Sequence, residues 1–135
     1  MTSSDPELPA EHWRVAPVLV VRDVSASIGY WRDRMGFAVV GTFRDPPVMA
    51  FVERGGVQFM LQGNGANPIP GTNRGYMAGI WDAHVWVEDA DALHADMKAR
   101  GTTVSNPCDT FYGSREFEAT DPDGYIIAFG SPIRD

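Results

Sequence analysis

From Val15 to Val21 nearly every position is apolar or β-branched, which predicts a strand covered on both faces. Asp23 or Ser25 can then cap a helix in which Val24, Ile28, Trp31 and Met35 recur at helical spacing and form one apolar stripe. Arg32 and Arg34 fall in its last turn, where cations suit the helix dipole, and Gly36 supplies the stop. The same grammar returns later in the chain. His84–Ala90 reads as a strand running into a helix opened by Asp89 and Asp91, with Ala90, Leu93 and Met97 on the buried side and Lys98, Arg100 and Gly101 at the end. An offset of 66 residues separates Asp23 from Asp89, about half the chain, so two copies of one supersecondary unit are predicted.

Each helix is followed by three segments of strand character. In the first copy these are Ala38–Phe43, Val48–Glu53 and Val57–Gln62, separated by Asp45-Pro46-Pro47 and Gly55-Gly56. In the second they are Thr103–Ser105, Arg115–Thr120 and Tyr125–Phe129, with Asp121-Pro122-Asp123-Gly124 closing a hairpin. The predicted fold is α+β, a single domain over residues 1–135 in which two paired βαβββ modules, 15–62 and 80–132, form a curved mixed sheet around a cleft. The linker 63–79 is rich in Gly, Asn and Pro, and a connection of that length often serves as a flap over a site. Residues 1–13 read as a polar arm ending in Trp13.

Composition narrows the partners. A 135-residue chain with 44% hydrophobic and 21% charged residues is a globular protein with a core of its own. No apolar run approaches the ~20 residues of a bilayer span, so no membrane partner is predicted. The start has no signal-peptide pattern, and Cys108 is the lone cysteine, which points to the cytoplasm. A net charge of −7 argues against nucleic acid. That acidity serves solubility alone, or it also draws in a cationic ligand. The chain carries no glycine-rich phosphate loop, no Ser-His-Asp arrangement and no His-Glu-x-x-His, and Cys108 has acidic company that disfavours a reactive thiolate.

The repeated unit, the Val-Arg-Asp-Val helix entrance, the run Tyr112-Gly113-Ser114-Arg115-Glu116-Phe117 and Asp121-Pro122-Asp123-Gly124-Tyr125 together resemble the vicinal oxygen chelate superfamily over about residues 15–132. That superfamily contains glyoxalases, extradiol dioxygenases, methylmalonyl-CoA epimerases and fosfomycin- and bleomycin-resistance proteins. The chain is most similar to the bleomycin-resistance-like branch, where Pro-x-Leu-x-Val-x-Asp-Val opens the domain as Pro17 to Val24 do here. The resemblance implies four metal-ligand positions, carried here by Ala16, Met60, Asp82 and Ala128. Alanine has no donor and a thioether suits the family's ions poorly, so no metal and no cofactor are predicted. His84 beside Asp82, with Gln58 or Gln62, is the unorthodox alternative.

If residues 60 and 128 face the cleft, alternation brings Gln58, Gln62, Ile126 and Gly130 with them, and Asp82, His84 and Trp86 from the strand beside. Regular hairpins would add Met49 and Phe51 to Met60, and Arg115 and Phe117 to Ala128, with Tyr112 at the rim. The expected ligand-contacting set is therefore Met49, Phe51, Met60, Asp82, His84, Trp86, Tyr112, Arg115 and Phe117. An aromatic, soft lining with a few polar groups suits a planar organic molecule. The expected function is non-catalytic binding and sequestration of an aromatic, possibly cationic small molecule by a homodimer whose subunits complete each other's clefts. The alternatives are an enzyme of the superfamily (lyase, isomerase or dioxygenase-like), either metal-dependent through unusual ligands or metal-free with His84 and Asp82 moving protons, and a regulatory or interaction module without ligand chemistry.

Overall fold

The computed structural model describes residues 11–133, so most of the expected arm lies outside the described residues. The first module runs β1 (Val18–Val21), α1 (Val24–Asp33), β2 (Ala38–Phe43), β3 (Met49–Arg54) and β4 (Val57–Gly63). A 3-10 turn at Asn73–Gly75 punctuates the connection to the second module. That module runs β5 (Ala83–Trp86), α2 (Ala90–Arg100), β6 (Thr103–Val104), β7 (Cys108–Asp109), β8 (Ser114–Thr120) and β9 (Ile126–Pro132). One sheet has the order β1-β4-β3-β2 and the other β5-β9-β8-β6, with β7 also on β8. In each, the first strand is parallel to the last and the remaining pairs are antiparallel. The architecture is the paired βαβββ one. The strand after α2 is broken in two, because Pro107 has no N–H to give a ladder.

Local chemistry sets the ends of both helices. Asp23 accepts from the Ala26 N–H and Asp89 from the Ala92 N–H, each at 3.0 Å, satisfying one orphan donor apiece. Gly36 and Gly101 adopt φ of 75° and 92°, the left-handed conformation that ends a helix without Cβ strain. Val24, Ile28, Trp31 and Met35 of the α1 stripe are buried. On α2, Ala90 and Met97 are buried and Leu93 is partly so. Among the described residues, no helix is long and apolar enough to cross a membrane.

Both helix-facing sheet surfaces feed one core. Leu19, Val21, Val52, Phe59 and Leu61 of the first module join Val85, Phe117, Ala119, Ile127 and Phe129 of the second in a single cluster. Trp31 meets Phe59 and Phe37 at ring-centroid distances of 4.8 and 4.9 Å. Phe117 stacks on Phe129 at 5.4 Å.

Polar clamps at the rim fix one module against the other. Tyr125 Oη donates to the Val20 carbonyl (2.7 Å), and Tyr30 Oη donates to the Thr120 carbonyl (2.8 Å). Arg22 reaches Asp123 through its backbone N–H and its guanidinium. At the other end Arg54 bonds Asp96 (2.9 Å) and the Thr102 hydroxyl donates to the Arg34 carbonyl.

The turn that carries Tyr125 and Asp123 is organised by Asp121, whose Oδ1 accepts from the Asp123 and Tyr125 N–H groups at 3.0 and 2.8 Å. Burial pushes its carboxyl up to about 6, against the lowering effect of those N–H groups and with Asp123 adding repulsion. A carboxyl whose folded value lies above its unfolded one binds its proton more tightly when folded. Its stabilising contribution is complete below the unfolded value of 3.8 and is lost as pH rises through about 6. Denaturant unfolding of the wild type and Asp121→Asn across pH 4–7 is expected to show the wild type losing ground to the variant as pH rises, by on the order of 1–3 kcal/mol. Parallel curves would exclude this account.

Candidate functional site

With one face of each sheet turned to the shared core, the opposite faces carry the candidate chemistry. On the first sheet, Met60 lies between Val18 and Phe51, and Gln62 between Val20 and Met49, with Phe43 beyond Met49. Met49, Phe51 and Met60 thus share one surface, as the alternation predicts. It is half open to solvent and largely apolar, and Val18 and Phe43 are more than half exposed.

The second sheet differs in kind. His84, Ala128 and Glu118 form one row across it, and Trp86, Gly130 and Glu116 form the next. Phe117 and Arg115 are therefore on the other side, a correction to the expected cleft lining. Phe117 stands opposite Phe129, is buried, and meets His94 of α2 edge-on at 5.2 Å. Arg115 bonds Asp91 and Asp109 at 3.1 and 3.2 Å, next to the start of α2. The strand is one residue out of the assumed register, and in a ladder of period two that turns over every side chain. The alternation Glu116-Phe117-Glu118-Ala119 was the available signal, since its apolar members belong with the helix and its acids with the open face.

The acids organise this face. Glu116, only 6% exposed, accepts from His84 Nε2 at 2.7 Å and from Tyr112 Oη at 2.6 Å. Burial works to raise its pKa, but the hydrogen bonds from His84 and Tyr112 outweigh it and hold the carboxyl below the ordinary value. An ionised carboxylate can only accept, so His84 Nε2 carries its hydrogen. The Tyr112 phenol is pushed up to about 12, first by desolvation and then by its hydrogen bond to Glu116 and that carboxylate's charge. Glu116 reaches His84 across Gly130, where an added Cβ would lie 2.9 Å from Glu116 Cγ and 3.0 Å from its Oε2. Trp81 and Trp86 flank the His84 ring at 4.9 and 4.6 Å.

Asp82 is not the partner of His84. Its two carboxylate oxygens accept the backbone N–H groups of Asn73 and Ile126, both at 2.8 Å, tying the linker to the start of β9. Arg74, in the 3-10 turn so anchored, bonds Glu118 at 2.8 Å. Glu116, Glu118, Trp81 and Arg74 are the site residues that sequence reasoning missed.

Two cavities meet at Trp86, which is 62% exposed. One of about 340 Å³ is walled by Trp13, Val15 and Pro17 on one side and by Val57, His84 and Trp86 on the other. A second of about 490 Å³ shares Val57, Val85 and Trp86 with it and is also lined by Phe37, Leu93, Phe129 and Glu88. These volumes lie in the range of small-molecule sites.

The residues do not fit the metal that other members of the resembled superfamily hold. Ala16 and Ala128 offer no donor, Met60 offers a thioether, and both Asp82 oxygens are engaged by main-chain N–H groups. Among the described residues, no group of three or more His, Cys, Asp or Glu side chains is arranged to hold an ion.

Comparison with known proteins agrees with this architecture. The profile of the glyoxalase/bleomycin resistance protein/dioxygenase superfamily matches residues 14–129. Bleomycin resistance proteins of Geobacillus stearothermophilus and Staphylococcus aureus are 25% identical over 126 residues, covering 87% of this chain and 96% of theirs. A glyoxalase-related enzyme from Clostridium phytofermentans superposes with a TM-score of 0.70 at 18% identity, covering 94% of this chain and all of its own. The bleomycin-binding protein of Streptomyces verticillus, solved with copper(II)-bleomycin, superposes at 0.64 and 22% identity, covering 93% and 99%. Likenesses at that identity speak for the fold. The profile match spans most of the chain, and the chain belongs to the glyoxalase/bleomycin resistance protein/dioxygenase superfamily.

Proposed function

We propose that the protein binds and sequesters an aromatic, positively charged small molecule without transforming it, in the manner of an antibiotic-resistance binding protein. It does so as a homodimer, each cleft pairing the first sheet of one subunit with the second sheet of the other. The observation that carries this reading is the contrast between the two open faces. Val18, Phe43, Met49, Phe51 and Met60 offer apolar contact, while Trp81, Trp86 and Glu118 offer aromatic surface beside negative charge. Apolar area of this kind is seldom left bare on a monomer. A planar cation between such faces gains burial on one side and stacking with charge attraction on the other. Bleomycin-resistance relatives over nearly their whole length support the ligand class. The exposed free Cys108 suits a reducing cytoplasm.

A second reading, a superfamily enzyme that moves a proton without a metal, is favoured by one observation. With Nε2–H given to Glu116, Nδ1 is the nitrogen of His84 left to exchange a proton with a substrate.

Calorimetric titration with bleomycin and with a panel of planar aromatic cations is expected to find a ligand that binds one per chain and is recovered unchanged by mass spectrometry. Trp86→Ala should then weaken binding about tenfold with little loss of folding stability, the lost stacking and area being worth about 1–2 kcal/mol. Turnover of the ligand would favour the enzyme, and unaltered affinity in Trp86→Ala would remove that face from the site.

Shared clefts make a sharper demand. Light scattering should show a dimer at micromolar concentration. Met60→Asp and Trp86→Ala, each impaired alone, should regain one intact cleft per mixed dimer when combined, since the two wild-type faces then meet. No regain on mixing would place each cleft within one chain.

Zinc, manganese, nickel and iron(II) should not raise the melting temperature. A ligand at 100 times its dissociation constant adds about 2.7 kcal/mol, enough to be seen. One tightly held ion per chain would favour the enzyme.

A further inference from the structure

We infer that Arg74 is an internal stand-in for the ligand's positive group, seated on Glu118 in the free chain and displaced when an aromatic cation binds. This rests on the binding reading above and identifies the carboxylate that receives the charge. Three carboxylates stand on the second sheet's open face, and two are committed. Glu116 is held by His84 and Tyr112 and is almost wholly buried. Asp82 is held by two main-chain N–H groups. Glu118 differs, because its carboxylate partner is a side chain from the linker, with Arg74 Nη2 at 2.8 Å and the two side chains 35% and 29% exposed. A partly exposed pair of this kind is worth little net stability and exchanges readily for a better-placed cation.

The surroundings fit a flat cation. Glu118, Ala128 and His84 lie side by side across the sheet, so the residue between the carboxylate and the imidazole is only a methyl group high. Arg74 itself presents a planar delocalised cation there, the shape an amidinium or an aminoacridinium would present. Its Nε also donates to the Ile80 carbonyl at 3.0 Å, and Asn73 beside it bonds Asp82 and the Trp81 carbonyl. The guanidinium can therefore leave Glu118 while Asn73 keeps the turn in place. Of the other arginine–carboxylate pairs, Arg22 with Asp123 and Arg54 with Asp96 join the modules, Arg115 sits next to the start of α2, and Arg14, which lines the smaller cavity, pairs with Glu53 of the first sheet at 3.7 Å.

Fluorescence titration of proflavine, a planar aromatic cation, and of neutral acridone tests the idea on wild type, Arg74→Ala, Glu118→Gln and Arg32→Ala. The last removes an equal charge from α1, where Arg32 pairs with its neighbour Asp33. Arg74→Ala is expected to bind proflavine roughly fivefold tighter than wild type, as loss of a competing ion pair implies. Acridone affinity should not change, Arg32→Ala should match wild type, and Glu118→Gln should bind proflavine several-fold more weakly. Arg74→Gln keeps much of the side-chain stem and replaces Arg74→Ala if that variant melts early. Equal gains in the Arg74 and Arg32 variants, or an equal gain for acridone, would overturn the displacement. Failure of every variant to bind proflavine would overturn it too, while the parent reading stands or falls on its own wider ligand panel.

Discussion

A sheet has two faces, and in this chain both sheets turn their most apolar one to the same interior. Val21, Val52, Phe59 and Leu61 from one side and Phe117, Ala119, Ile127 and Phe129 from the other pack with Trp31 and Met97 of the helices into a single core. Burial on that scale is the dominant favourable term in folding, and side-chain alternation then leaves no choice about the remaining positions. The residues of opposite parity are the ones left to face outward from both sheets. The rim contacts of Tyr125, Tyr30 and Arg54 add direction to a force that has none, fixing the angle at which the modules meet.

The two modules differ in kind on the faces that the core does not constrain. At equivalent places beside the first strand of each module, one sheet carries Met60 and the other Ala128, since Val18 pairs with the former and His84 with the latter. Large soft side chains make the first face a surface that moulds itself to what touches it. Small ones lower the floor of the second, and the acids and tryptophans stand up around it. The two halves match in their helices and Asp caps and differ in the side chains of their open faces.

Much of the fold could be read from the chain because its signals are local. Asp23 and Asp89 as caps, Gly36 and Gly101 as stops, and the stripe Val24, Ile28, Trp31, Met35 each depend on neighbours a few residues away. The candidate site was legible only in part. Met49, Phe51 and Met60 share a face because the Gly55-Gly56 turn makes a regular hairpin. The hairpin closed by Asp121–Gly124 pairs Thr120 with Ile126, which puts Glu116 and Glu118, and not Arg115 and Phe117, beside the small residues of β9. Alternation places His84 on the same strand face as Asp82, whereas its bond runs to Glu116, 32 residues away. Contacts that cross strands are set by register, and a one-residue error in register inverts them all.

Gly130 shows how little room that arrangement leaves for drift. It sits inside a strand, where a glycine costs stability and any larger residue would ordinarily be an improvement. Here a Cβ would come within 2.6 Å of Ser114 Oγ and would press on Glu116 as well. Every substitution, even to alanine, would act as a wedge between the carboxylate and the imidazole, parting two groups that the substituted residue itself never bonds. A position with no side chain thus keeps two of its neighbours in contact, and a change there that strand propensity favours would press them apart.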